Sequence, residues 1–204
     1  LIINANEVIT MASDVKGPRI KEAMKDIGVQ TNVSVLLEDE RIVDIAPLET
    51  LHLAYPQLME KVEVIDASGK VVMPGLIDCH THLVHGGTRE DEFQMRLEGK
   101  TYMEIMNAGG GIYNTTKKTR AASFEQLYAK AYLRLNDFLK HGVTTVEAKS
   151  GYGLDWENEK KQLQVVKALH EKHPIDVVPT FMGAHAVPQE YKGNEDAFVD
   201  VLIQ

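Results

Sequence analysis

Short apolar runs separated by polar residues fill the first third of the chain. Val33, Val35 and Leu37 recur at every second position, the spacing that places side chains on one face of a half-buried strand. The polar EDER stretch at 38–41 predicts a turn between two strands, and LETLHLAYP predicts a short helix that ends at Pro56. Residues 1–73 therefore predict a small, mainly antiparallel β layer. Its β-like runs are LIINA, EVIT, NVSVLLED, RIVDIAP, VEVID and KVVMP.

From residue 74 onward the pattern changes to strands that alternate with longer amphipathic helices. The clearest helix begins at Ser123, which has Gln126 three residues later, the spacing of a capping box. Gly142 follows the basic pair Lys140 and His141 and marks its end. Apolar residues at steps of three and four predict that one face of this helix packs on a sheet. These residues are Phe124, Leu127, Ala131, Leu135 and Phe138.

Three apolar strands are predicted in this second part, at GLIDCHTHL, at 143–151 and at 175–185, with a further helix at 155–173. The last two strands begin 32 residues apart, a length that suits a strand, a helix and a parallel strand. Residues 74–204 therefore predict an α/β fold with three βα units. Such units fit either a doubly wound sheet or part of a (β/α)8 barrel, and a whole barrel needs ~250 residues.

Composition narrows the function classes. A net charge of −8 argues against nucleic-acid binding, which requires a basic face. No apolar run approaches the ~20 residues that span a bilayer, and the N-terminal residues lack the pattern of a signal peptide. The single cysteine, Cys79, fits a cytoplasmic protein. The last residues, NEDAFVDVLIQ, stop inside a helix-like pattern, so we expect a shortened chain.

The candidate chemistry lies at the end of the first predicted parallel strand, in DCHTHLVHGG. His80 and His82 are two residues apart, so their imidazoles project from the same face of the strand. Zinc, iron and manganese all accept imidazole nitrogen. Asp78 shares this face and could accept a hydrogen bond from an imidazole N–H. His85 is out of step with this alternation, so we interpret it as an exit-loop residue outside the metal site.

VMPGLIDCHTHLVHGG resembles the first barrel strand of the amidohydrolase superfamily, in which two histidines of this pattern bind metal. Three further segments are similar to the imidazolonepropionase family: GGTREDEFQMRLEGKTYMEIMNAGGGI, GVTTVEAKSGYGLD and PTFMGAHAVP. The resemblance implies a partial (β/α)8 barrel with a small N-terminal β-sandwich. It also implies one divalent or transition metal ion, zinc or iron, bound in part by His80 and His82. The implied reaction is hydrolysis of the imidazolone ring C–N bond in histidine degradation, and the implied assembly is a homodimer.

The resemblance also implies how a small-molecule substrate is bound. Imidazolone propionate carries a carboxylate, for which Arg89 offers a two-pronged donor, and the family places Tyr102 near the same group. Tyr152, between two glycines, faces the ligand, and His185 contacts the ring. There His185 polarises the ring carbonyl or stabilises the oxyanion as a catalytic group. Lys149 is interpreted as structural.

Two histidines do not complete a hydrolytic metal site, which usually has three protein ligands. No match to the family's later metal-binding and acid/base motifs occurs in the chain. We therefore expect the N-terminal half of an enzyme, inactive by itself. Two alternatives remain open from the residues: a related amidohydrolase such as a nucleobase deaminase, or a non-catalytic barrel fragment that serves as a binding module.

Overall fold

The computed structural model describes residues 1–14 and 16–203. The chain divides into two compact units, Leu1–Pro74 and a second unit that begins at Gly75. Each unit has its own sheets and its own buried apolar cluster.

In its described residues, 1–14 and 16–74, the first unit contains seven short strands, two short α-helices and a 3-10 helix at Lys21–Lys25. The predicted helix ends at Ala54, and Pro56 is the first residue of a second helix. Proline is favourable there because the N–H of a first helical residue makes no hydrogen bond within the helix, so its absence costs nothing. The strands are β1 (Ile2–Ile3), β2 (Glu7–Ile9), β3 (Val29–Gln30), β4 (Ser34–Glu38), β5 (Arg41–Ala46), β6 (Ile65–Asp66) and β7 (Val71–Val72), and the helices are α1 (Leu48–Ala54) and α2 (Pro56–Met59).

These strands form two small sheets, in the orders β5-β4-β1-β6 and β3-β2-β7. Strands β4 and β5 pair antiparallel around the predicted turn, with Glu38 opposite Arg41. The last two strands of the unit, β6 and β7, pair parallel with the first two, β1 and β2 respectively. Leu1, Leu36 and Leu51 form the buried centre.

The second unit alternates strands with helices, as the hydrophobic pattern predicts. The strands are β8 (Leu76–Thr81), β9 (Val143–Lys149) and β10 (Asp176–Thr180), and the helices are α3 (Glu90–Leu97), α4 (Tyr102–Asn107), α5 (Ile112–Ala121), α6 (Phe124–Lys140), α7 (Trp156–Lys172) and α8 (Glu195–Ile203). Within residues 1–14 and 16–203, no helix is both long and apolar enough to cross a membrane.

The three strands form one parallel sheet in the order β10-β9-β8, so the prediction of a parallel α/β unit is confirmed. Helices α6 and α7 pack their apolar faces against the sheet and enclose the main core. Burial of this apolar surface is the principal stabilising contribution to the unit. The fully buried side chains at its centre include Leu127, Leu135, Val146, Val165 and Leu169.

The start of α6 depends on a local hydrogen-bond pair. The Ser123 hydroxyl accepts from the Gln126 N–H at 3.2 Å, and the Gln126 side chain accepts from the Ser123 N–H at 3.0 Å. We expect Ser123→Ala to lower the free energy of unfolding by about 1 kcal/mol, because it leaves one helix N–H without its partner. Urea denaturation of the variant and the parent chain measures this difference, and an unchanged midpoint would contradict it.

The predicted extent of the third strand is wrong at its end. Strand β10 stops at Thr180, whereas residues 183–185 form a short 3-10 turn. The Met182 N–H donates to the Ser150 hydroxyl at 2.9 Å, and the His185 N–H donates to the Met182 carbonyl at 3.0 Å. These two bonds turn the chain out of the sheet, so His185 lies beyond the strand rather than on it.

Candidate functional site

The carboxyl ends of β8, β9 and β10 lie side by side in the parallel sheet, and the loops that follow them carry the candidate residues. His80 is near the end of β8, and His82 directly follows Thr81, its last residue. The two imidazole ring centroids are 6.1 Å apart. Thr81 points the other way, where its hydroxyl donates to the Glu147 carbonyl at 2.7 Å. The imidazoles of His80 and His82 thus lie near each other at the strand end, where the pairing of β8 with β9 is irregular between Asp78 and Thr81.

His82 is the centre of an aromatic cluster built from all three strand ends. Its ring centroid lies 4.8 Å from that of Tyr152, which follows β9, and 4.7 Å from that of His185, which follows β10. Tyr152 and His185 also meet edge to face at 5.6 Å. Tyr152 is half-buried against these rings.

Gly151 permits the close approach of the β9 and β10 loops. Its φ of +106° is one that side-chain-bearing residues rarely adopt, and a Cβ atom there would lie 2.8 Å from the His185 Cβ. The glycine next to Tyr152 thus has a packing role, since it lets the His185 backbone approach the loop.

Arg89 lies at the edge of the aromatic cluster, immediately before α3. Its Cζ atom is 5.9 Å from the centroid of the Tyr152 ring, within the range of a cation–π contact. Its Nε donates to the Thr115 hydroxyl of α5 at 3.0 Å, which anchors the guanidinium. The structure therefore places a cation beside Tyr152.

Burial keeps the His82 imidazole neutral at neutral pH. It lowers the pKa of His82 to about 4, and the neighbouring His185 adds to the decrease. Burial also lowers the pKa of His185. A neutral imidazole retains a nitrogen lone pair that can bind a metal ion. Among the described residues, the buried Nδ1 of His82 has no hydrogen-bond partner, which coordination of a metal ion by this nitrogen would explain.

His85 lies in the exit loop, as predicted, and its ring is also close to the aromatic cluster around His82. Its ring centroid is 6.1 Å from that of Tyr152. Burial lowers the pKa of His85 to about 4, and the cation of Arg134 contributes to this decrease. Arg134 of α6 donates to the carbonyls of Leu83 and His85 at 2.9 and 3.3 Å, so a half-buried cation holds the loop that follows the histidine pair.

Two further candidate residues, Tyr102 and Asp78, lie outside the ring contacts of the aromatic cluster. Tyr102 is the first residue of α4 and is 56% exposed. In the part of the chain that the structure describes, the ring contacts around His82 do not extend to it. The Asp78 carboxylate accepts from the backbone N–H of His80 at 3.2 Å, whereas the predicted acceptor role was toward an imidazole ring.

A charged pair accompanies the histidines on the neighbouring strand. The Lys149 ammonium bonds the Glu147 carboxylate, which also accepts from the Thr180 hydroxyl at 2.6 Å. These bonds, with a smaller contribution from His80, lower the pKa of Glu147. Lys149 is thus occupied by an ion pair.

The sequence patterns missed Glu159 and Gln162, two buried polar residues of α7. Both bond the loop that carries Tyr152. Glu159 lies in the first turn, where acids are common because of the helix dipole. Their three-residue spacing was a signal, because it places both polar side chains on one face of α7. That face is the one that packs toward the core.

The described residues hold no group of three or more His, Cys, Asp or Glu side chains that could bind a metal ion. His80 and His82 could therefore supply only part of the ligand set of a metal ion. The donor type, the neutral imidazole and the unpartnered Nδ1 of His82 all suit coordination, but a further ligand is needed to complete a hydrolytic site.

Comparison with known proteins confirms the resemblance predicted from the motifs. A model of the Amidohydrolase family matches residues 63–111. The imidazolonepropionase of Brevibacillus brevis is 55% identical over 203 residues, which cover 100% of this chain and 48% of that protein. That of Streptococcus pyogenes serotype M4 is 47% identical and covers 100% of this chain and 48% of that protein. The chain thus spans about half the length of the curated relatives it matches.

Solved structures support the fold class alone, since their sequence identity to this chain is low. Escherichia coli guanine deaminase has a TM-score of 0.54 at 16% identity, over 81% of this chain and 34% of that one. A triazine hydrolase variant has a TM-score of 0.52 at 14% identity, over 98% and 50%. The chain therefore has an α/β fold of the type found in these hydrolases.

Proposed function

We propose that this chain forms part of an enzyme that hydrolyses the imidazolone ring in histidine degradation. The reaction adds water to 4-imidazolone-5-propanoate, breaks a ring C–N bond and yields N-formimidoyl-L-glutamate. The contact of His82 with both Tyr152 and His185 carries the proposal. It joins residues from three strand ends, in a chain that is similar over its whole length to imidazolonepropionases.

We further propose that the unit beginning near Gly75 is the first part of a (β/α)8 barrel. Its three strands are parallel and their connections carry helices, and the candidate residues lie at the carboxyl ends of the strands, where barrel enzymes bind substrate. The first 73 residues would be the small β-sandwich segment. The other half of the length found in the relatives would supply the remaining strands.

His80 and His82 would hold the metal ion, with zinc and iron the two candidates. When bound, the ion would lower the pKa of a water molecule toward ~7 and polarise the ring carbonyl. The remaining metal ligands and the acid/base groups would come from the half of the relatives' length that this chain does not match.

The chain's own residues would orient the substrate. Arg89 would bind the propionate carboxylate through its two terminal nitrogens, while its Nε remains on Thr115. The Tyr152 ring would pack beside the imidazolone, with its hydroxyl as a hydrogen-bond partner. Neutral His185 would donate an N–H to the carbonyl oxygen as negative charge develops there. Tyr102 would approach the same carboxylate as Arg89, which requires α4 to contribute to the substrate pocket.

The direct test uses the full-length protein, meaning this sequence joined to the half that its relatives possess. Loss of imidazolone propionate is followed by absorbance, and N-formimidoyl-L-glutamate is identified by mass spectrometry. Ammonia release from guanine and cytosine is measured in parallel. Ring opening without ammonia release supports the proposal. Ammonia release without ring opening would show a nucleobase deaminase, and neither activity in the metal-loaded protein would indicate a non-catalytic binding module.

The 204-residue chain alone is expected to bind zinc or iron weakly and to leave imidazolone propionate unchanged. Only two predicted ligands are present, and the described residues contain no three-membered ligand group. Titration calorimetry with each metal and an overnight turnover assay measure both properties, with the full-length protein as the control. Turnover by the isolated chain at the full-length rate would contradict the assignment of missing ligands.

A further inference from the structure

We propose that Glu159 and Gln162 of α7 are positioning residues that hold the loop at 150–154 in place. Through this loop they keep Tyr152 against His82 and His185. The assignment of an effect on turnover rests on the proposed function, whereas the structural part of the proposal can be measured without any substrate.

Glu159 is only 2% exposed, and its carboxylate bonds three backbone N–H groups of this one loop. Its Oε1 accepts from Gly153 at 2.7 Å, from Leu154 at 2.8 Å and from Gly151 at 3.2 Å, while its Oε2 accepts from Gly151 at 3.0 Å. A buried carboxylate is unfavourable unless such donors compensate it. Loop and carboxylate therefore depend on one another.

Gln162 lies one turn further along the same face and is fully buried. Its Nε2 donates to the Val84 carbonyl at 2.6 Å, and its Oε1 accepts from the Tyr152 N–H at 3.3 Å. A single amide group thus links the backbone of Tyr152 to the loop that follows His82. This link connects the ends of β8 and β9 directly at the aromatic cluster.

The loop adopts a conformation that needs such support. Leu154 is fully buried with a φ of +53°, a left-handed conformation that costs of order 1–3 kcal/mol for a residue with a side chain. Gly153 lies so close to α7 that a Cβ atom there would be 2.4 Å from the Glu159 nitrogen. The bonds to Glu159 offset this strain and press the loop onto the helix.

The first measurement is backbone amide exchange in the full-length protein. Glu159→Gln removes the negative charge and replaces one acceptor oxygen by an amide NH₂ group. This donor then faces the backbone N–H donors of the loop. We expect exchange at Gly151, Gly153 and Leu154 to become about 10- to 100-fold faster, the effect of losing a charge-assisted hydrogen bond. Glu157→Gln is the matched control, since it makes the same change at an exposed position of α7. Unchanged exchange in a folded Glu159→Gln protein would overturn the proposal.

The second measurement separates positioning from general destabilisation. We expect Glu159→Gln to lower kcat/KM about 10- to 100-fold, the cost of a small misplacement of a substrate-binding group, and to have a much smaller effect when Tyr152→Ala, which removes the positioned ring, is already present. A general loss of stability would lower kcat/KM by the same factor whether or not Tyr152 is present. If Glu159→Gln lowers kcat/KM by the same factor in both backgrounds, a role through Tyr152 is contradicted.

Gln162→Met provides a milder variant if Glu159→Gln does not fold. It keeps the side-chain length, removes one donor and one acceptor, and is expected to lower kcat/KM about 2- to 10-fold with the same dependence on Tyr152. A full effect in the Tyr152→Ala background would oppose the proposal. If loop exchange accelerates as expected while the parent protein does not open imidazolone propionate, the loop assignment stands and the proposed function fails.

Discussion

His82→Ala in the full-length protein is expected to lower kcat/KM by about 10³-fold or more and to reduce the bound metal in the same preparation. Loss of an outer-sphere partner of a metal ligand typically costs 10–100-fold, so loss of a ligand itself should cost more. The variant also removes the ring that contacts Tyr152 and His185. Binding of the metal and packing of the substrate-binding rings should therefore fail together.

Metal content by mass spectrometry and steady-state kinetics measure this prediction. His52→Ala is the matched control, because it removes another imidazole from an exposed position in α1, and it should leave metal content and kinetics unchanged. Circular dichroism confirms that each variant is folded. A folded His82→Ala protein with normal metal content and normal turnover would refute the ligand assignment.

Leu135→Ala is expected to lower the free energy of unfolding by about 2–5 kcal/mol. Leu135 of α6 is fully buried in the core between the helices and the parallel sheet, and its truncation removes apolar contacts and leaves a cavity. Leu133, two residues earlier on the same helix, is 64% exposed. Leu133→Ala should change the free energy of unfolding by no more than about 0.5 kcal/mol.

Urea denaturation of the two variants and the parent chain, followed by circular dichroism, measures the difference. The pair is matched in helix, in residue type and in the atoms removed, so helix propensity cancels between them. Equal destabilisation by the two changes would show that α6 does not direct the Leu135 face toward the core.

Elements whose signals are local could be predicted from the sequence. Helix α6 begins after Ser123 because its capping partner is three residues away, and α7 begins after Asp155, whose carboxylate accepts from the Asn158 N–H at 2.8 Å. The pairing of His80 with His82 followed from the two-residue period of a strand. In each case the interaction that determines the structure lies within a few residues.

Features that depend on distant partners could not be predicted. Strand β10 appeared longer because the apolar pattern continues past Thr180, yet the Met182 N–H leaves the sheet for the Ser150 hydroxyl. Glu159 had the pattern of a solvated acid at a helix start. Its partners are close in sequence, but the loop just before α7 folds back around the carboxylate, and the hydrophobic pattern carries no signal of that bend. His85 was expected to stand apart, and only the fold brings it beside Tyr152.

The near contact between Gly153 and the first turn of α7 limits which parts of this segment can be exchanged between proteins. Since a Cβ at 153 would lie 2.4 Å from the backbone nitrogen of Glu159 and 2.6 Å from the Asn158 carbonyl carbon, neither partner can yield by a simple side-chain rotation. Loop and helix start therefore form one structural unit, running from Ser150 to Gln162. A chimaera that exchanges the tyrosine loop without this helix would transfer the residue but not the surface that it rests on.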